Sequence, residues 1–186
     1  MTKLLGISGS LRRGSYNSAL LRAATRLMPP EATLEVASIR GIPLYDGDVE
    51  AQGIPAIVTQ LKEAIVAADG VLLVTPEYNN SIPGVFKNTI DWLSRPPADI
   101  RRVFGGRRFA IIGASPGAWG TVLSQNAWLS VMRTLGTQMW FGGRLMIARA
   151  GGVFDESGTL KDANVEEQLK QFLAGYVAFL RGPPAR

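Results

Sequence analysis

The residues best suited to chemistry fall in three short segments, GSLRRGSYN at 9–17, TPEYNNSIPG at 75–84 and ASPGAWG at 114–120. The first gathers hydroxyls at Ser10 and Ser15, an amide at Asn17 and a guanidinium at Arg12 just ahead of a helical pattern. Donors of these kinds at a helix start make a cradle for a phosphate. The segment has neither the GK[ST] ending of a nucleotide P-loop nor GxGxxG, which argues against nucleoside triphosphate hydrolysis and against a Rossmann dinucleotide site. A turn capped by Ser15 or Asn17 explains the same letters without any ligand. In the second segment, the missing N–H of Pro76 suits a strand end. Glu77, Tyr78 and Asn79 then stand where backbone and side chains can meet a flat ring, although a proline-bounded turn with Tyr78 on the surface reads equally well. The third pairs the small residues Ser115 and Gly117 with Trp119, so backbone amides can approach a ligand edge under an indole; a simple turn is the plainer reading.

What is missing narrows the chemistry further. The 186 residues include no cysteine and no histidine, which excludes disulfides, thiolate nucleophiles, imidazole bases, Ser-His-Asp triads and zinc sites built from those ligands. An enzyme of this composition is expected to draw its reactivity from a cofactor. Lysine and arginine total 20 against 15 acids, a net charge of +5 carried mostly by arginine, which favours small anionic molecules. The only dense cationic stretch, Arg95 to Arg108, lacks the interleaved aromatics of a nucleic-acid platform and reads as a solvated loop, so no nucleic acid is expected. The N-terminal apolar run is too short for a signal peptide and no stretch approaches spanning length. We therefore expect no membrane insertion and a cytoplasmic location.

The elements that must position these segments alternate along the chain. Lys3 to Ser8 reads as a strand, Asn17 to Met28 as a helix with Leu20, Ala24 and Leu27 on one side, and Thr33 to Ile39 as a second strand. Turn formers fill Gly41 to Gly53 before a helix marked by Ile57, Leu61, Ala64, Ile65 and Ala68. Val71 to Thr75 is a continuous apolar run of the kind central parallel strands show, followed by a helix from Pro83 to Leu93. Phe109 to Ala114 is the fourth strand, and a helix runs from Thr121 to Leu135, closing at Gly136. Met139 to Phe141 and Leu145 to Ile147 share a fifth strand broken at Gly142-Gly143, and Val165, Leu169, Phe172, Leu173, Tyr176 and Leu180 stripe the last helix. Five strands alternating with five helices predict an α/β domain over residues 1–181. Its parallel sheet would be covered on both faces, with a ligand site at the strands' carboxyl ends and a short tail from Gly182 to Arg186.

The pairing of GSLRRGSYN with TPEYNNSIPGVFKNTIDWLSRP closely resembles the NADPH-dependent FMN reductase family, which includes quinone, chromate and azo-dye reductases. The resemblance implies a flavodoxin-like, doubly wound, five-stranded sheet in the order 2-1-3-4-5. It implies bound FMN, its phosphate held by Ser10, Arg12, Ser15, Tyr16 and Asn17 and its ring lined by Pro76, Glu77, Tyr78 and Asn79. Ser115 and Gly117 would meet the pyrimidine edge. NADPH or NADH would pass a hydride to the flavin, and a small-molecule acceptor, such as a quinone, azo compound, chromate or free flavin, would then take two electrons. No side chain is assigned as acid or base. Two departures, Asn80 after the PEYN motif and Pro116 with Trp119 in the third loop, leave the acceptor open. Arg12, Arg13 and the arginines from Arg95 to Arg108 lean towards NADPH. A flavodoxin-type electron carrier, sharing fold and FMN but not the pyridine-nucleotide chemistry, is the alternative.

A homodimer or homotetramer is expected through Pro83 to Leu93 and Thr121 to Leu135. In the second of these helices Leu123, Ala127, Val131 and Leu135 form one stripe while Trp128, Leu129 and Met132 extend the apolar surface. In the first, Val85 and Trp92 lie off the stripe of Phe86, Ile90 and Leu93, as interface anchors would. Asp91 resembles a subunit-contact position, with a local pair to Arg95 as the simpler reading.

Overall fold

The computed structural model describes residues 1–182; of the expected tail only Gly182 is therefore described. Five parallel strand positions form the sheet in the order β2-β1-β3-β4-β5, where β1 is Thr2–Ser8, β2 Ala32–Ala37, β3 Gly70–Val74, β4 Arg108–Ala114 and β5 Gln138–Met139. The expected break in the last strand is real. β5 pairs with Arg108 and Phe109 at the start of β4, whereas β6, Met146–Ile147, pairs with Gly113 and Ala114 at its end. Between them the Trp140 indole turns into the core against Phe172 and Tyr176, in a nest formed by Gly142, Gly143 and Gly175.

Every residue of β3 is buried, as its unbroken apolar sequence requires of a strand covered on both faces. Alternation then sorts neighbouring strand residues between two cores. Leu4, Leu72, Val74, Ala110 and Ile112 face α1 (Tyr16–Arg26) and α7 (Ala163–Arg181). Leu5, Ile7, Val71, Leu73, Phe109 and Ile111 face α3 (Ala56–Ala67), α4 (Gly84–Leu93) and α6 (Val122–Thr134). Each fully buried aliphatic side chain contributes about 1.5–3 kcal/mol before conformational entropy is subtracted.

Three sequence readings need correction. The turn-rich stretch between β2 and α3 contains a helix, α2 (Gly47–Gln52), capped by the Asp46 carboxylate on the Asp48 N–H. The Arg95 to Arg108 segment is not a solvated loop. It forms a 3-10 turn at Pro97–Asp99 and α5 (Ile100–Val103), and four of its five guanidinium groups bind the chain itself. Arg95 pairs with Glu50, Arg102 with Glu63 and Asp99, Arg107 donates to the carbonyls of Val66 and Ala68, and Arg108 to those at the end of α7. Arg108 thus sets a cation on the negative end of that helix dipole. Asp91, finally, pairs with Lys87 rather than Arg95.

Candidate functional site

The strand order brings the three chemistry-bearing segments to one edge, because the loops after β1, β3 and β4 all leave from carboxyl ends of neighbouring strands. They interlock there. The Gly9 N–H donates to the Val74 carbonyl at 2.9 Å, and a Cβ on Gly9 would lie 2.1 Å from the Phe86 ring, so only glycine lets the first loop leave β1 this close to α4.

Ser15 is the N-cap of α1, its hydroxyl oxygen accepting from the N–H groups of Asn17 and Ser18. Its proton remains available to an anion, as does the Ser10 hydroxyl's, which accepts from the Arg12 N–H. Arg12 lies exposed over the Tyr16 ring, 5.2 Å from its centroid. Tyr16 itself stacks on Phe154. Asn17 has a different task. Its side chain is buried, donating to the Ala114 carbonyl at 2.8 Å and accepting from the Ala114 N–H at 2.9 Å, so its amide clamps α1 to the end of β4. Ser10, Arg12, Ser15 and the start of α1 therefore offer donors suited to an anion, whereas the Asn17 side chain is spent on the end of β4.

In the second loop Tyr78 and Ser81 bond each other's backbones, and Asn79 and Asn80 between them take φ of 48° and 61°. Two left-handed residues make a tight turn that asparagine tolerates, which accounts for Asn80 where the sequence looked anomalous. The turn leaves Tyr78 about half exposed. Pro76 is buried, and Thr75 beneath it bonds Ser124 and Trp128 of α6. Glu77 reaches the start of α6. Its Oε2 accepts from the N–H groups of Leu123 and Ser124, at 2.8 and 2.9 Å, so this carboxylate caps α6 from a distant loop.

The third loop is strapped down by residues just beyond β6. Ser115 receives the Ala150 N–H on its carbonyl and the Gly117 N–H on its hydroxyl, while the Gly117 carbonyl accepts from Arg149. Trp119 stands out at 81% exposure. Sequence reasoning missed this strap, the Glu77 cap and the Asn17 clamp. Each joins residues far apart in the chain through single side chains, which leave no periodic signal.

The sequence profile of the NADPH-dependent FMN reductase family matches residues 2–152. The chain belongs to that family. It is 45% identical over 179 residues to an NAD(P)H-dependent FMN reductase of Pseudomonas aeruginosa, covering 96% of this chain and 95% of that one. To a 2-hydroxy-1,4-benzoquinone reductase of a Burkholderia species it is 36% identical, covering 96% of each. Among solved structures, the flavoenzyme NAD(P)H:(acceptor) oxidoreductase of Paracoccus denitrificans superimposes with a TM-score of 0.86 at 30% identity, covering 97% of both chains. Family membership makes the chain an NAD(P)H-dependent FMN oxidoreductase, as the resemblance implied, rather than a flavodoxin-type carrier. The flavodoxin-like sheet order is likewise the one expected. None of its described helices is long and apolar enough to cross a membrane.

Proposed function

We propose that the chain is a two-electron reductase whose acceptor is a quinone and whose flavin lies along the edge formed by the three loops. The observation that carries this reading is the convergence of an anion cradle and two ring-accessible turns on adjacent strand ends. Ser10, Arg12, Ser15 and the α1 N-terminus hold the phosphate. Tyr16 supports Arg12, and the Asn17 clamp fixes the distance from cradle to third loop. Pro76 and the Tyr78–Ser81 turn line one side of the ring, with Glu77 anchoring that turn to α6. The turn of Ser115 and Gly117 borders the pyrimidine edge, its shape fixed because their N–H groups donate to the Ile147 carbonyl and the Ser115 hydroxyl. FMN when bound supplies the hydride-carrying ring; the protein binds, orients and keeps a face open. Quinone reductases among the relatives support the choice of acceptor.

The assembly we propose is a homodimer or homotetramer, in the cytoplasm. Its surface differs from the one the sequence suggested. Trp92 is wholly buried under residues 43–45, donating to the Pro43 carbonyl and meeting the Tyr45 ring, and Trp128 and Met132 are core. The exposed apolar set is instead Trp119, Val122, Leu123, Leu129 and Phe141.

The deciding experiment is the absorbance spectrum of protein incubated with FMN, recorded without oxygen before and after NADPH and then after a benzoquinone. A flavin spectrum that bleaches with NADPH and returns with the quinone is expected. A protein that takes up no flavin, or one bleached by NADPH that a quinone fails to reoxidise, defeats the reading.

A further inference from the structure

A hollow of about 360 Å³ opens between the first loop, α1 and the end of β2. It is lined by Arg12, Arg13, Arg22 and Arg40 together with the hydroxyls of Ser10 and Ser38, and by no carboxylate. Among the described residues none of these four guanidinium groups has a carboxylate within 4.0 Å, in contrast to Arg95 and Arg102. Arg40 is fixed at the mouth. Its side chain donates to the Leu11 carbonyl, and its N–H to the Ser38 hydroxyl, tying the end of β2 to the first loop. Like charges held in one concavity repel each other and lower the potential energy of an anion placed among them.

One flavin phosphate does not account for this set. Arg12 and Ser10, which also line it, serve the cradle, and that leaves Arg13, Arg22 and Arg40 without a phosphate. Along the carboxyl edge the order β2-β1-β3-β4 places hollow, cradle and ring-lining turns in succession. With strands about 4.8 Å apart, the hollow lies roughly 10–15 Å from the ring position. A dinucleotide laid across the ring reaches that far; a quinone does not. Guanidinium groups bind phosphate through paired N–H donors, and NADPH differs from NADH by one phosphomonoester on its adenosine ribose.

We infer that this hollow takes the 2′-phosphate of NADPH, and that Arg13, Arg22 and Arg40 set the preference for NADPH over NADH. The inference rests on the proposed function, since it needs a dinucleotide at the flavin. It is tested by calorimetry on FMN-saturated protein with adenosine 2′,5′-bisphosphate and with 5′-AMP, beside KM values for both dinucleotides. The bisphosphate is expected to bind at least about tenfold more tightly, as loss of one charged hydrogen bond implies. Arg40→Gln and Arg22→Gln should each erase most of that difference and raise the NADPH-to-NADH ratio of KM values about tenfold, with flavin affinity unmoved. Arg22→Gln guards against disturbance of the first loop through the Arg40 tie to Leu11. Equal binding of the two nucleotides, or equal loss for both dinucleotides, overturns the inference. So does a fall in FMN affinity, which would give the hollow to the flavin phosphate. A chain that takes up no flavin defeats the proposed function instead, and bisphosphate binding to that flavin-free protein still reads the hollow.

Discussion

Asn17 and Arg12 sit in the same loop motif and do different work. Both polar atoms of the Asn17 amide are used on Ala114 in a buried setting. Asn17→Ala strands one backbone donor and one acceptor, so we predict a loss of about 3 kcal/mol in urea unfolding, with flavin affinity reduced as a consequence. Arg12 is exposed and bonded to no neighbour that the fold needs. Arg12→Ala is therefore predicted to leave the urea midpoint of the flavin-free protein unchanged while weakening FMN binding by about 10- to 150-fold, equivalent to about 1.5–3 kcal/mol. Fluorescence titration with FMN alongside denaturation separates the two. The sequence marked both positions, because residue type and spacing identify a loop that handles phosphate. It does not distinguish a side chain aimed at the ligand from one aimed at a strand end 97 positions away, which depends on how α1 lands on the sheet.

At the scale of elements, α6 begins without a cap from its own chain neighbourhood: Thr121 makes no side-chain cap bond, and the Glu77 carboxylate supplies it. Glu77→Ala is predicted to cost about 1–2 kcal/mol, as loss of a helix cap does, and to loosen the second loop from α6. Glu77→Gln, which keeps an acceptor oxygen, should recover most of the stability in thermal melts. A second inter-element tie links α3 to the turn before α5. The wholly buried Lys62 donates to Asp99 at 2.8 Å and to the Arg95 carbonyl. The Lys62 hydrogen bond, helped by Arg102, holds the Asp99 carboxyl below its ordinary range. The unfolded chain then takes up this proton first as pH falls, so the contribution is complete above about pH 5 and is lost as pH drops through the lowered folded value. Asp99→Asn is predicted to destabilise by about 2 kcal/mol at pH 7, with the gap to the parent narrowing as the pH falls below about 4, measured by urea unfolding across that range. Of these elements, the long amphipathic helices and β3 were plain in the sequence. α2 was not, because it buries no residue and so shows no apolar period.

For the whole molecule, the doubly wound sheet was legible because alternating apolar runs and helical stripes leave few other ways to cover both faces. The assembly surface was only half legible. A periodic excess of apolar residues says that a helix has two partners, but not whether the second is another chain. At Trp92 it is the segment at 43–45, which turns its backbone onto the indole. Leu123 and Leu129 keep exposures of 44% and 39%, and none of the described residues encloses them. Leu123→Glu with Leu129→Glu is predicted to give a monomer in light scattering while leaving the circular dichroism spectrum intact, and an unchanged oligomer would move the interface elsewhere.

The unequal burial of the indoles makes the protein its own optical probe. Of the four tryptophans, Trp92 and Trp128 are fully enclosed and Trp140 is partly so. Trp119 alone stands in solvent in the single chain. Its emission is the red-shifted part of a monomer's fluorescence and the part open to acrylamide, and the proposed assembly surface would cover it. Assembly is thus written into one resolvable component of the native emission, without a label.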